Sequence, residues 1–205
     1  MANVDNPHGL TAVGHRFGVD FNAGVNAYYV PAAYVTALFI GDAVTKTGTA
    51  NLAAVSAVGA GDFQIGALPT VALTAAGTTN SITGVVVGVY PVTRDSEVYS
   101  PASTEAVVLV NDDPYTEWQI QADGAIAPTQ IGLNAVLIYT HAGSTITGVS
   151  GAELDTTSDV PAATAADQLT ILRQVNSTDN ETNLVHNEIV VRINNHTEAH
   201  GVVGI

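Results

Sequence analysis

From Val25 onward, short apolar or alternating runs are separated by clusters of Gly, Pro, Asn and Asp at intervals of roughly 8–15 positions, the spacing of an all-β chain. The clearest run is 116–122. Trp118, Ile120 and Ala122 fall on one side and Glu117, Gln119 and Gln121 on the other, as a half-buried strand requires. Asp112-Asp113-Pro114 precedes it and Asp123-Gly124 closes it, both turn sequences: aspartate bonds nearby amides, and proline presets φ while removing a donor. The last strand is as plain, with Ile189, Val191 and Ile193 opposed to Glu188, Val190 and Arg192. Val85-Val86-Val87-Gly88-Val89-Tyr90, within a run over 82–92, and the run 106–110 are continuously apolar and predict strands covered on both faces. Further strands are predicted over 25–30, over 37–44 with a Gly41-Asp42 turn or bulge, and over 68–74, 136–139 and 169–175. Residues 128–134 predict a single helical turn, 143–151 a hairpin region, and 177–183 a polar loop. The α-helix candidates are 50–57 and 162–167, both short.

Residues 1–24 lack a periodic pattern and predict an extended N-terminal arm. Leu10, Val13, Phe17 and Phe21 are spaced along it, and a free tail has no use for them, so the arm is expected to lie on its own domain or on a neighbour. The organisation expected is an arm over 1–24, then a β-barrel or β-sandwich of short antiparallel strands over 25–125. A second β-rich portion over 126–205 packs on the first or continues it as one domain. At 205 residues the chain is long enough to bury a core without disulfides.

Composition changes the picture in one respect. Charged residues make up 12% of the chain, against roughly 25% in ordinary soluble domains. The polar surface must then come from Thr, Ser, Asn and Gln, which can be packed against another protein with little charge to desolvate. Nineteen Asp and Glu stand against five Lys and Arg, a net −14 that argues against nucleic acid and anionic membrane as partners. No cysteine is present, which excludes disulfides, thiolate catalysis and Cys-based zinc sites, and fits a reducing compartment. No basic and apolar leader opens the sequence, so no secretory signal is expected, and no uninterrupted apolar segment reads as a membrane span.

Catalytic motifs fail at identifiable residues. Gly148-Val149-Ser150-Gly151-Ala152 lacks the last glycine of a nucleophile elbow. Gln64 stands where a dinucleotide fingerprint starting at Gly59 needs glycine, and Thr45 where a phosphate loop before Lys46-Thr47 needs one. Leu154-Asp155-Thr156-Thr157 lacks the glycine of an aspartic-protease triplet. His196 and His200 have metal-ligand spacing if helical, but read better as a solvated tail. Asp95, Glu97, Glu105, Asp112, Asp113, Glu117 and Asp123 form an acidic stretch around Arg94. Clustered carboxylates hold Ca²⁺, but no loop here has the calcium-hand spacing, and turn chemistry with a solvated strand face accounts for them. Paired carboxylates for glycoside hydrolysis would want an aromatic-lined cleft, for which 6% aromatics is thin support. The expectation is no enzyme, no catalytic or metal residues and no cofactor.

Several stretches, in order along nearly the whole chain, resemble structural proteins associated with tailed-bacteriophage capsids. They are Met1-Ala2-Asn3 with Pro7-His8-Gly9-Leu10, then Tyr29-Val30-Pro31-Ala32 and Ala37-Leu38-Phe39-Ile40-Gly41-Asp42-Ala43-Val44. Asp113-Pro114 with Trp118-Gln119-Ile120-Gln121-Ala122-Asp123-Gly124, Ile131-Gly132-Leu133-Asn134-Ala135 and 147–155 continue the match. Leu169-Thr170-Ile171-Leu172 and Val190-Val191-Arg192-Ile193-Asn194-Asn195-His196 complete it. Where that family's strand usually has Phe, this one has Trp118. The resemblance implies a capsid cement or decoration protein, assembled in the host bacterial cytoplasm and seated on the capsid exterior of the virion. Its partners would be the major capsid protein and itself, as a homotrimer in preference to a dimer, with neither nucleic acid nor membrane involved. The contact residues expected are Leu10, Arg16, Phe17, Phe21, Tyr28 and Tyr29, with Trp118 in the core. The rival expectations are a phage tail or fibre component, disfavoured by the lack of long repeats, and a carbohydrate-binding β-sandwich.

Overall fold

A computed structural model describes residues 3–18, 24–57, 61–91 and 95–199. The chain is all-β. Its strands are β1 (Thr11–His15), β2 (Val25–Val30), β3 (Ala43–Ala50), β4 (Val55–Ala57), β5 (Gly61–Phe63), β6 (Pro69–Leu73) and β7 (Gly84–Val89). There follow β8 (Ala106–Asn111), β9 (Thr116–Gln121), β10 (Asn134–Ala135), β11 (Leu137–Ile138), β12 (Glu153–Leu154), β13 (Leu169–Gln174) and β14 (Glu188–Ile193). One 3-10 turn, Pro128–Gln130, sits where a helical turn was expected.

Two sheets carry the architecture. Strands β2, β6, β3, β7 and β8 close a barrel in that order. Its pairs are antiparallel except β2 with β6, which meet in parallel at Tyr29 and Thr70. The second is a five-stranded antiparallel sheet in the order β1-β9-β14-β13-β10. It draws on all three portions expected from sequence: the arm supplies β1, the middle β9, and the last portion the rest. Strands from either side of residue 125 therefore pair in one sheet. The physical reason is register: Trp118 pairs with Val191 and Ile120 with Ile189, so the apolar sides of β9 and β14 form one surface.

That surface packs onto the outside of the barrel. Trp118, Ile120, Leu169, Ile171, Ile189 and Val191 share a buried cluster with Ala43, Ile82 and Val85. Tyr28, Val30, Val44, Val71, Val86, Val108 and Val110 fill a second cluster, the barrel interior. Val85 and Val86 lie in different clusters, which is why β7 is apolar on both sides.

Three expected elements are absent. Over 37–44, isolated bridges at Leu38 and Ile40 replace a strand, and β3 begins only at Ala43. The helix candidate 50–57 is instead a loop and β4. Asn51 holds the loop, donating to Ala53 and Gln64 carbonyls and accepting from the Leu68 amide. The candidate 162–167 is loop as well, with Ala162 bridged to Asn134. In these loops an asparagine side chain or a single bridge supplies the hydrogen bonds that a helix would have supplied.

The described part of the arm, residues 3–18, lies on its own chain. Asn3 exchanges hydrogen bonds with Glu181, and Gln121 with the backbone of Val4 and Asn6. Leu10 donates to the Gly41 carbonyl at 2.9 Å and is buried. Gly9 makes this approach possible: at φ +66° a Cβ would lie 2.6 Å from Ser150 Cβ and 2.7 Å from Gly41 O. Then β1 pairs with β9 and forms an edge of the sheet.

Candidate functional site

The turn that the sequence places before β9 builds the most distinctive surface of the molecule. The Asp113 backbone and side chain receive the amides of Thr116 (3.3 Å) and Tyr115 (2.8 Å). Across from it, β1 ends in a turn in which Gly18 donates to the His15 carbonyl at 3.0 Å. His15 joins the two: its Nδ1 accepts the Phe17 amide at 3.1 Å, which leaves Nε2 as the protonated nitrogen, donating to Asp113 at 2.9 Å. Arg16 N–H donates to the Tyr115 carbonyl at 3.0 Å. Phe17 and Tyr115 are thereby held with ring centroids 5.0 Å apart and planes at 60°. Both rings remain open to solvent, Phe17 at 65% and Tyr115 at 44% exposure.

Two arginines flank this pair, and a third lies on the same sheet. Arg16 follows β1 directly and is exposed, and Arg192 lies on β14 opposite Glu117. Burial, and then the neighbouring charge of Arg16, lower the Arg192 pKa from its ordinary value. Arg173 on β13 bonds Glu117 Oε2 at 2.7 Å. Three of the chain's five Lys and Arg thus belong to this sheet, on a protein of net charge −14. Exposed aromatics beside arginines next to an edge strand are the composition of a protein-contact surface.

The expected contact residues divide. Arg16 and Phe17 belong to the surface just described. Leu10 is only 3% exposed and packs in the core beneath the sheet, so it is not available to a partner. Tyr28 is also 3% exposed; its ring fills the barrel and its hydroxyl donates to Asp112 at 2.7 Å. Its neighbour Tyr29 points outward and donates to Glu105 at 2.7 Å; burial, then that carboxylate, push its pKa up to about 12. Phe21 lies outside the described residues. Trp118 is fully buried, as expected. Tyr115 and Arg192 were missed. The turn preceding Tyr115 and the polar side of β14 carrying Arg192 were both legible, but which polar side stays open depends on strand order.

The acidic stretch does not assemble into one site. Asp112 serves Asn26 and Tyr28, Asp113 serves His15, Glu117 serves Arg173, and Asp123 serves Thr156 and Thr157. Asp95, Glu97 and Glu105 do share a cleft with Tyr90 and Tyr99. His196 is buried, its Nδ1 taking the Glu198 amide at 3.0 Å, and His200 is outside the described residues. Among the described residues no helix is long and apolar enough to cross a membrane.

No protein-family model, no curated protein and no solved structure matches the chain.

Proposed function

We propose that this chain is a capsid cement or decoration protein of a tailed bacteriophage, which binds the outer face of the major capsid protein shell and stabilises the head. The observation that carries the reading is the Phe17–Tyr115 pair framed by Arg16, which follows the edge strand β1, and by Arg192 on β14. A cement protein needs such a contact surface and no catalytic group. The remaining surface is poor in charge and costs little to desolvate. The chain-long resemblance to capsid-associated proteins points the same way. Self-association belongs to the proposal, a trimer before a dimer, because repeated copies on a symmetric shell convert modest contacts into avidity. Quantitative mass spectrometry of purified virions tests it: a cement protein is present in hundreds of copies. A handful of copies would favour a tail or fibre component instead, and absence from the particle would end both readings.

A carbohydrate-binding reading draws on the cleft between Tyr90, Tyr99 and Glu105, where aromatic rings and carboxylates meet. Glycan binding lost in Tyr99→Ala would favour it over capsid binding.

A further inference from the structure

Away from the aromatic surface, three segments distant in sequence bring together Asp5 of the arm, Glu153 of β12 and His186 of the loop before β14. One ligand atom from each lies within 4.8 Å of the other two. We propose that these residues bind a divalent first-row transition cation of the Zn²⁺ type, which fastens the N-terminal arm to the body of the protein.

Glu153 is the strongest argument. Its carboxylate is 1% exposed, in the interior of a chain with few charges. Oε2 is occupied, accepting from Thr140 Oγ1 at 3.0 Å and paired with His141 Nδ1 at 2.8 Å. Oε1 is sealed from solvent with no hydrogen-bond partner. An acceptor buried in that way costs about 1–3 kcal/mol, and more when charged, unless something else occupies its lone pairs. His186 repeats the pattern, since its Nδ1 is also sealed and unpartnered. Asp5 Oδ1 stands 3.6 Å from that nitrogen, beyond a hydrogen bond. Two ligands on one tetrahedral ion at zinc bond lengths are separated by about 3.4 Å. The spacing that is too long for a hydrogen bond thus suits two corners of a coordination polyhedron.

The donor set selects the ion. Ca²⁺ asks for six to eight oxygens and Mg²⁺ for an octahedron of oxygens, whereas one imidazole with two carboxylates suits zinc and its neighbours. Water would complete the coordination. The His141 contact to Glu153 is the kind of outer support that orients a ligating carboxylate. Asn3 lies two residues before Asp5 and bonds the carbonyls of Glu181 and Val185, so the arm and the His186 loop are already tethered where the ion would join them. The cation also offsets the repulsion of two carboxylates brought together on an acidic protein.

The test uses the full chain stripped with EDTA and titrated with ZnCl₂ by calorimetry and thermal melting. Wild type should take up one Zn²⁺ and melt at a higher temperature with the metal, while Mg²⁺ and Ca²⁺ leave the melt unchanged. Asp5→Asn and His186→Asn should weaken Zn²⁺ binding at least about tenfold and lose the shift. Both changes are mild for the fold: Asp5 is half exposed, and asparagine suits the φ of +60° at position 186. Failure of wild type to bind Zn²⁺ overturns the proposal. So does undiminished binding by both variants, which would place the metal on other histidines.

Discussion

Asp42 lies at the turn into β3, where Ser150 Oγ donates to one carboxylate oxygen at 2.5 Å and the Phe39 amide to the other at 2.8 Å. Burial outweighs both bonds and pushes its pKa from 3.8 up to about 6. The folded state then holds this proton more tightly than the unfolded chain does. Asp42 accordingly contributes most at acid pH, and its contribution falls as pH rises between about 4 and 6, by about 3 kcal/mol in all. Urea melts across that range should show a smaller fall in Asp42→Asn than in wild type, and identical slopes would refute the assignment. Trp118 makes a different residue-level prediction. Its indole Nε1 is buried with no partner, so Trp118→Phe removes an unsatisfied donor along with some volume. It should destabilise far less than Trp118→Ala, for which about 3–5 kcal/mol is expected from urea-melt midpoints. Burial of Trp118 was legible from strict alternation. For Tyr28 and Tyr29 the two-residue period says that one ring faces in and one out, but not which, and the choice fell to the barrel.

At the level of elements, continuous or strictly alternating runs were legible: β2, β6, β7, β8, β9, β13 and β14 all lie within or close to the expected ranges. What was not legible has a common cause. Residues 37–44, 50–57 and 162–167 are fixed by long-range partners such as Ser100, Leu68 and Asn134, and local pattern carries no record of these. Strand order was hidden for the same reason, and with it the place of β9 outside the barrel. The arm was recognised as docked material, and Leu10 anchors it in the core, but the side-chain anchors before Leu10 are polar. His8 Nε2 meets Glu188 Oε2 at 3.1 Å. The bond to Glu188 raises the His8 pKa above 6.5 against the effect of burial. Burial alone would raise that of Glu188, but His8, Gln119 and Gln121 together hold it below 4.5. The His8 contribution is complete below 6.5 and is lost as pH rises through its raised value. That of Glu188 is complete above 4.5 and is lost as pH falls through its lowered value. The arm should therefore be held most firmly between 4.5 and 6.5. Hydrogen exchange of the Leu10 amide, corrected for intrinsic rates, should show this maximum in wild type and lose it in His8→Gln. An unchanged profile in the variant would disprove the coupling.

For the molecule as a whole, the fold of the described residues brings Arg16, Arg192, Phe17 and Tyr115 into one corner of a chain with few charges. In the proposed role, that corner is where the capsid surface engages. The sequence supplied half of that corner, Arg16 and Phe17, and the pairing of β1 with β9 and β14 supplied Tyr115 and Arg192. The most direct measurement of the proposed role is co-sedimentation of the purified full chain with tailed-phage capsid shells assembled without it. The account predicts saturable binding by wild type, and binding weaker by at least about tenfold when Phe17→Ala and Tyr115→Ala are combined, since exposed aromatic anchors carry most of such an interface. Wild type that stays in the supernatant, or a double variant that binds as well as wild type, would contradict it.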